Sequence, residues 1–218
     1  MPITAYHSKY FAYELTKRCS SNSLQKLTGT LLDAQVDLNP HQVEAALFAF
    51  NSPLSKGAIL ADEVGLGKTI EAGMVISQKW AEKKRNILLI VPSNLRKQWH
   101  QEIQDKFFLP SMIMETSTFN RAIKEGNLNP FQQDKIVICS YHFARTKEPY
   151  IPQVKWDLIV IDEAHRLRNV YKPQNKIANS IKNSVSPFPK ILLTATPLQN
   201  SLLELFGLVS VIDGFTFG

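Results

Sequence analysis

Ala58-Ile59-Leu60-Ala61-Asp62-Glu63-Val64-Gly65-Leu66-Gly67-Lys68-Thr69 decides the fold. An apolar run enters a glycine-bearing loop, and Gly67-Lys68-Thr69 opens a stretch of helical character reaching Lys83. A triphosphate needs backbone N–H donors aimed at its oxygens, and glycines let the chain wrap closely enough to supply them. The helix that follows adds a favourable dipole. Lys68 can reach the β- and γ-phosphates, and the Thr69 hydroxyl can ligate Mg²⁺. Gly65, Gly67 and Ile70 join them as nucleotide-binding positions. One residue departs from the usual pattern: Asp62 stands where such loops carry their first glycine. Taken alone, Gly-Lys-Thr also reads as a flexible turn capping a helix; the strand before it and the helix after it favour the phosphate loop.

Working outward, four more runs are almost purely apolar: Ile87–Val91, Ile136–Ile138, Leu158–Ile161 and Ile191–Leu193. Met112-Ile113-Met114 is a weaker sixth candidate. Strands covered on both faces read this way, because neither face needs polar residues. Helical segments lie between them. From Ser93, read as an N-cap, Leu95, Trp99, Ile103 and Phe107 recur every four residues along one face. Others run over 118–125, 174–185 and 201–212. Alternation of buried strands with helices predicts an α/β fold, a mostly parallel sheet with helices on both faces. Residues 1–38 read as a short N-terminal helical extension, and 39–218 as the nucleotide-binding domain.

A second chemical signal sits at a strand end, where Leu158–Ile161 leads into Asp162-Glu163-Ala164-His165. Ligands of open α/β sheets bind at the carboxyl edge, which is where these carboxylates fall. Asp162 would hold Mg²⁺, and Glu163 would polarise the attacking water as general base. His165 suits coupling to neighbouring segments better than metal ligation. Two acids can also simply begin a helix. A phosphate loop about 95 residues upstream makes the pair two halves of one Mg·ATP site.

The chain has 218 residues, 25 Lys and Arg against 19 Asp and Glu, and a net charge of +6. That balance permits nucleic-acid binding without establishing it. Cys19 and Cys139 lie in no metal-ligand spacing, and Cys139 reads as a reduced core thiol. No apolar run approaches the ~20 residues that span a bilayer, and the N-terminus lacks a signal-peptide pattern. A cytoplasmic, monomeric protein is expected. Arg96 and Lys97 fall in the first turn of a helix, where cations oppose the dipole, so a compensating anion such as a DNA phosphate is an option beside plain solvation. Arg166, Arg168 and Asn169 are similar candidates. Ser140-Tyr141-His142 could add backbone contacts, with His142 equally readable as packed beside Trp156.

In combination these segments resemble the superfamily-two helicases, and within them the Swi/Snf-type double-stranded DNA translocases. Asp162-Glu163-Ala164-His165 is similar to the DEAH box, and Leu193-Thr194-Ala195-Thr196-Pro197-Leu198-Gln199-Asn200 to the Swi/Snf coupling motif. Leu38-Asn39-Pro40-His41-Gln42 resembles the adenine-recognition motif, with Gln42 reading the base. Leu89–Ser93 followed by Trp99 resembles the segment that touches the DNA backbone. Asp62–Gly73 and Ala195 lean towards the bacterial branch that includes the RNA-polymerase-recycling ATPases. The resemblance covers roughly residues 38–213.

It implies a RecA-like lobe, ATP and Mg²⁺ as cofactors, and double-stranded DNA as partner. Coupling would fall to His165, Thr194 and Thr196, and nucleic-acid contacts to Ser93, Arg96, Lys97, Ser140 and Arg168. It also implies a second RecA-like lobe carrying arginine fingers, which this sequence lacks. Such an arginine is worth on the order of 10³–10⁵ in rate, so this chain is expected to bind ATP weakly and hydrolyse it very slowly. An RNA-helicase lobe and a non-hydrolysing nucleotide-binding scaffold are the alternatives. The Pro-Leu-Gln-Asn extension weighs against the first, and Glu163 against the second.

Overall fold

The computed structural model describes residues 4, 9, 34, 39–52, 54, 56–62, 67–199, 201–214 and 216. The helical extension read over 1–38 therefore lies almost wholly outside the described residues, as does Gly65. Among the described residues six strands form one sheet: β1 (Gly57–Leu60), β2 (Ile87–Val91), β3 (Ser111–Ile113), β4 (Ile136–Ser140), β5 (Leu158–Ile161) and β6 (Lys190–Leu193). Their order across the sheet is β1-β6-β5-β2-β4-β3, and every pairing is parallel. Each apolar run of the sequence, the weak 112–114 candidate included, contributes a strand.

Seven α-helices pack against it among the described residues: α1 (Pro40–Phe50), α2 (Lys68–Ala81), α3 (Arg96–Phe107), α4 (Thr116–Lys124), α5 (Tyr141–Thr146), α6 (Lys176–Val185) and α7 (Leu202–Ile212). Successive strand residues point to opposite faces, and both faces are buried, which is why the runs carry no polar alternation. Ile87, Leu89 and Val91 join α2 and α3 through Met74, Trp99 and Ile103. Leu88 and Ile90 join the other layer, including Phe143, Ile181 and Leu208. Full burial of each such aliphatic side chain is worth about 1.5–3 kcal/mol. Phe119, Phe131, Phe143, Tyr150 and Trp156 close the β3–β4 end with edge-on ring contacts at 5.0–6.2 Å.

The differences from the sequence reading are local. Ser93 does not cap α3. Ser93–Leu95 form a turn in which the Leu95 N–H donates to Pro92 O at 3.0 Å, so the helix starts at Arg96. Ser140 ends β4 and caps α5, accepting from the Phe143 N–H at 3.2 Å. His142 is exposed rather than packed beside Trp156, whose indole N–H is used on Ile151 O. Cys139 is buried and unpaired, its thiol pushed up to about 12 by burial. No helix among the described residues is long and apolar enough to cross a membrane.

Candidate functional site

The carboxyl edge of the sheet gathers the loops after β1, β5 and β6. Gly67 ends the phosphate loop in a left-handed conformation (φ 93°) as N-cap of α2. At this φ a side chain would be strained, and a Cβ would lie 2.3 Å from Gln42 Nε2, so that the glutamine would have to shift. Gln42 is buried, and its Oε1 accepts from the Asn39 N–H at 3.2 Å, which caps its own helix. Lys68 Nζ donates to the carbonyl of Asp62 at 2.8 Å, folding the ammonium back over its loop.

Asp162 and Glu163 follow β5, opposite this loop. Gly67, Lys68, Thr69, Ile70, Trp99, Asp162 and Glu163 line one cleft of about 350 Å³. The two halves read from the sequence are thus brought together. Asp162 is 8% exposed; Oδ2 accepts from the Trp99 indole N–H at 2.8 Å, and Oδ1 from the Glu163 N–H at 2.8 Å. Burial raises its pKa, and these two donors oppose the rise by favouring the charged form. No lysine or arginine pairs with this carboxylate among the described residues, and each oxygen keeps a lone pair. Together with the Thr69 hydroxyl, it is a donor set that suits a hard divalent cation.

Glu163 adopts a left-handed conformation (φ 53°, ψ 45°), unusual for a residue with a side chain. The Tyr141 hydroxyl bridges this corner, 2.6 Å from Asp162 O and 3.3 Å from Glu163 O. His165 Nδ1 lies 3.1 Å from Glu163 Oε2, though not aligned as a hydrogen bond, and burial lowers the pKa of the ring. On the neighbouring strand, the Thr194 N–H donates to Leu60 O at 3.0 Å, which ties the segment after β6 to β1. Thr194 Oγ1 accepts from the Thr196 N–H at 3.2 Å, and Thr196 is exposed.

The nucleic-acid candidates are placed less uniformly. Arg96 already has an anion: its guanidinium meets Glu115 Oε1 at 2.7 Å and the Ser93 carbonyl at 3.1 Å. Ser93 and Lys97 are exposed. Arg96, Ser140 and His142 border a separate cleft of about 420 Å³. Arg168 faces inward. Its side chain is 11% exposed and clamps Glu204 at 3.2 Å, Gln199 at 2.8 Å and the His165 carbonyl at 2.8 Å, which leaves it little to offer a phosphate. Arg168 thereby joins the segment after the acidic motif to the one after β6.

Sequence reasoning missed the hydrogen bond from Trp99 to Asp162, the tie made by Tyr141, and Glu71. The Glu71 carboxylate is fully buried with no hydrogen-bond partner among the described residues. Burial first, and then the neighbouring Asp62 carboxylate, push its pKa up to about 8. His41, Asp62 and Glu71 have ligand atoms within 4.8 Å of one another, but the Lys68 ammonium already supplies positive charge nearby. The signal for this pair was Asp62 in place of a loop glycine.

An all-parallel sheet covered by helices, with Gly67, Lys68, Thr69, Asp162 and Glu163 lining one cleft, defines an α/β domain of the RecA-like kind. More narrowly, residues 14–218 match the SNF2-related domain, and the chain belongs to that family. It is 37% identical over 177 residues to an uncharacterized ATP-dependent helicase, YqhH, of Bacillus subtilis (strain 168), covering 79% of this chain and 29% of the relative. RNA polymerase-associated protein RapA of Yersinia pseudotuberculosis is 35% identical over 184 residues, covering 82% and 19%. The Sulfolobus solfataricus SWI2/SNF2 ATPase core in complex with dsDNA has a TM-score of 0.68 at 25% identity, covering 84% of this chain and 37% of the other. The chain spans less than a third of the length of these two curated relatives.

Proposed function

We propose that this chain forms the ATP-binding lobe of a DNA-dependent ATPase that couples hydrolysis to movement on double-stranded DNA. The observation that carries the reading is the single cleft shared by Gly67, Lys68, Thr69, Asp162 and Glu163. Lys68 would leave the Asp62 carbonyl to meet the β- and γ-phosphates. Thr69 and Asp162 would hold Mg²⁺, which neutralises charge on the phosphates when bound. Glu163 would accept the proton of the attacking water, and Gln42 would read the adenine. Thr194, Thr196 and His165 lie on the two segments that Arg168 clamps together, the arrangement coupling requires. Ser93, Arg96, Lys97 and Ser140 would meet a DNA backbone, with Arg96 exchanging Glu115 for a phosphate. Duplex DNA as partner draws support from the Sulfolobus ATPase core, whose structure contains it.

Completion of the site by a second RecA-like lobe makes this chain alone a weak binder and a slow hydrolase. Calorimetry with Mg·ATP on this chain and on Lys68→Ala tests the reading. Binding in the micromolar-to-millimolar range that disappears in Lys68→Ala supports it. Equal binding by both proteins refutes the phosphate loop, and turnover by the chain alone at the rate of a two-lobed motor refutes the dependence on a second lobe.

A further inference from the structure

Both segments assigned above to nucleic acid end in a buried aromatic residue that donates a hydrogen bond to Asp162. Trp99 lies on α3 one turn beyond Leu95 and Arg96; Tyr141 directly follows Ser140. The indole N–H takes the carboxylate at 2.8 Å, and the phenol takes the main-chain carbonyl of the same residue at 2.6 Å. The two donors therefore hold opposite ends of one residue. They are 2% and 4% exposed, a depth at which each polar atom needs a partner, and phenylalanine at position 141 would fill the same space without one to satisfy. A hydrogen bond inside a protein is stronger than one in water, and it weakens steeply as distance and angle degrade.

Geometry supplies the other half of the argument. The first turn of α3 separates two clefts. Arg96 borders the 420 Å³ cleft with Ser140 and His142, whereas Leu95, Gln98 and Trp99 line the 350 Å³ cleft with Lys68 and Asp162. A rigid shift of that turn, or of the Ser140–Tyr141 corner, moves a donor off Asp162. Glu163, held left-handed under the Tyr141 hydroxyl, is a corner with an alternative conformation to relax into.

We propose that Trp99 and Tyr141 are positioning residues that set the Asp162 carboxylate according to whether the face carrying Arg96 and Ser140 is occupied. This rests on the function proposed above. With both donors in place, as the fold holds them, Asp162 is aimed at the metal position, and occupation of the face steadies the two segments that carry them.

The test uses Trp99→Phe and Tyr141→Phe in the complete gene product, with Ile103→Val as a control. Ile103 is buried on the same helix and donates nothing from its side chain. Four quantities are measured: duplex-DNA affinity, ATP affinity without Mg²⁺, the Mg²⁺ concentration that half-saturates nucleotide binding, and the stimulation of ATPase by duplex DNA. Each aromatic variant should leave the first two within about twofold while raising the Mg²⁺ requirement and cutting stimulation, about tenfold for Trp99→Phe, the size of one charge-assisted hydrogen bond, and about fivefold for Tyr141→Phe, which removes a neutral one. Ile103→Val should lower only the melting temperature. Should Trp99→Phe fold poorly, Tyr141→Phe carries the test unaided, since it removes a single oxygen. Unmutated protein stimulated by DNA, with both variants matching it in stimulation and Mg²⁺ requirement, overturns this inference alone. Unmutated protein that DNA does not stimulate overturns the proposed function and this inference together.

Discussion

Replacing Glu71 by glutamine should stabilise this protein, and by an amount that grows with pH. In the fold the carboxyl is buried without a donor, and its pKa stands at about 8 against 4.5 for the free side chain. The folded state therefore holds a proton that the unfolded state releases. For a group raised in this way, stability is fully present below the unfolded pKa and is lost as pH rises towards the folded one. The window is pH 4.5 to 8, and the slope within it is about 1.4 kcal/mol per pH unit. Between pH 5.5 and 7.5 the native protein should lose about 2–3 kcal/mol that Glu71→Gln does not lose. Urea denaturation of both proteins at half-unit intervals reads this directly. With about 2–4 °C per kcal/mol for a chain of this size, the gap between the two melting temperatures should widen by roughly 5–10 °C from pH 5.5 to pH 7.5. Parallel pH curves, or a glutamine variant that is the less stable at pH 7.5, would refute the account of Glu71 as a buried, proton-holding acid.

Three further outcomes follow from the site and its supports. Glu163→Gln should leave Mg·ATP binding within a few-fold in calorimetry while cutting hydrolysis by the complete gene product about 10²–10⁴-fold, the worth of a general base. Arg168→Ala removes the guanidinium that faces the Glu204 carboxylate, which is 7% exposed and keeps only neutral donors such as the Gln199 N–H at 3.0 Å, and should cost about 2–4 kcal/mol in urea denaturation. Arg168→Lys should restore only part of that, because one ammonium cannot serve Gln199, Glu204 and the His165 carbonyl in the same fork. Gly207→Ala would place a Cβ 2.0 Å from the Arg168 carbonyl, so α7 must back away; about 1–3 kcal/mol of destabilisation, read by thermal melting, is the expected cost.

Much of the architecture was legible in the chain itself. Runs such as Ile87–Val91 and Leu158–Ile161 lack polar alternation because both faces of a parallel sheet are covered, and that rule is local enough to read from five residues. Gly67-Lys68-Thr69 and Asp162-Glu163 were equally legible, since each is a contiguous group at a strand end whose chemistry depends on neighbours in sequence. Tertiary structure alone decided how those groups are supported. Nothing local to Trp99 reveals that its indole turns away from solvent onto a carboxylate 63 residues later, because helical periodicity fixes a face but not what lies opposite. Arg168 looked like a free cation until Glu204 and Gln199, more than 30 residues on, were seen to enclose it. Arg96 likewise found its anion in Glu115, 19 residues away. Sequence determined which atoms could do chemistry here. The order in which parallel strands crossed the sheet determined which of them meet, because partners drawn from different crossovers share an edge only after the chain has folded.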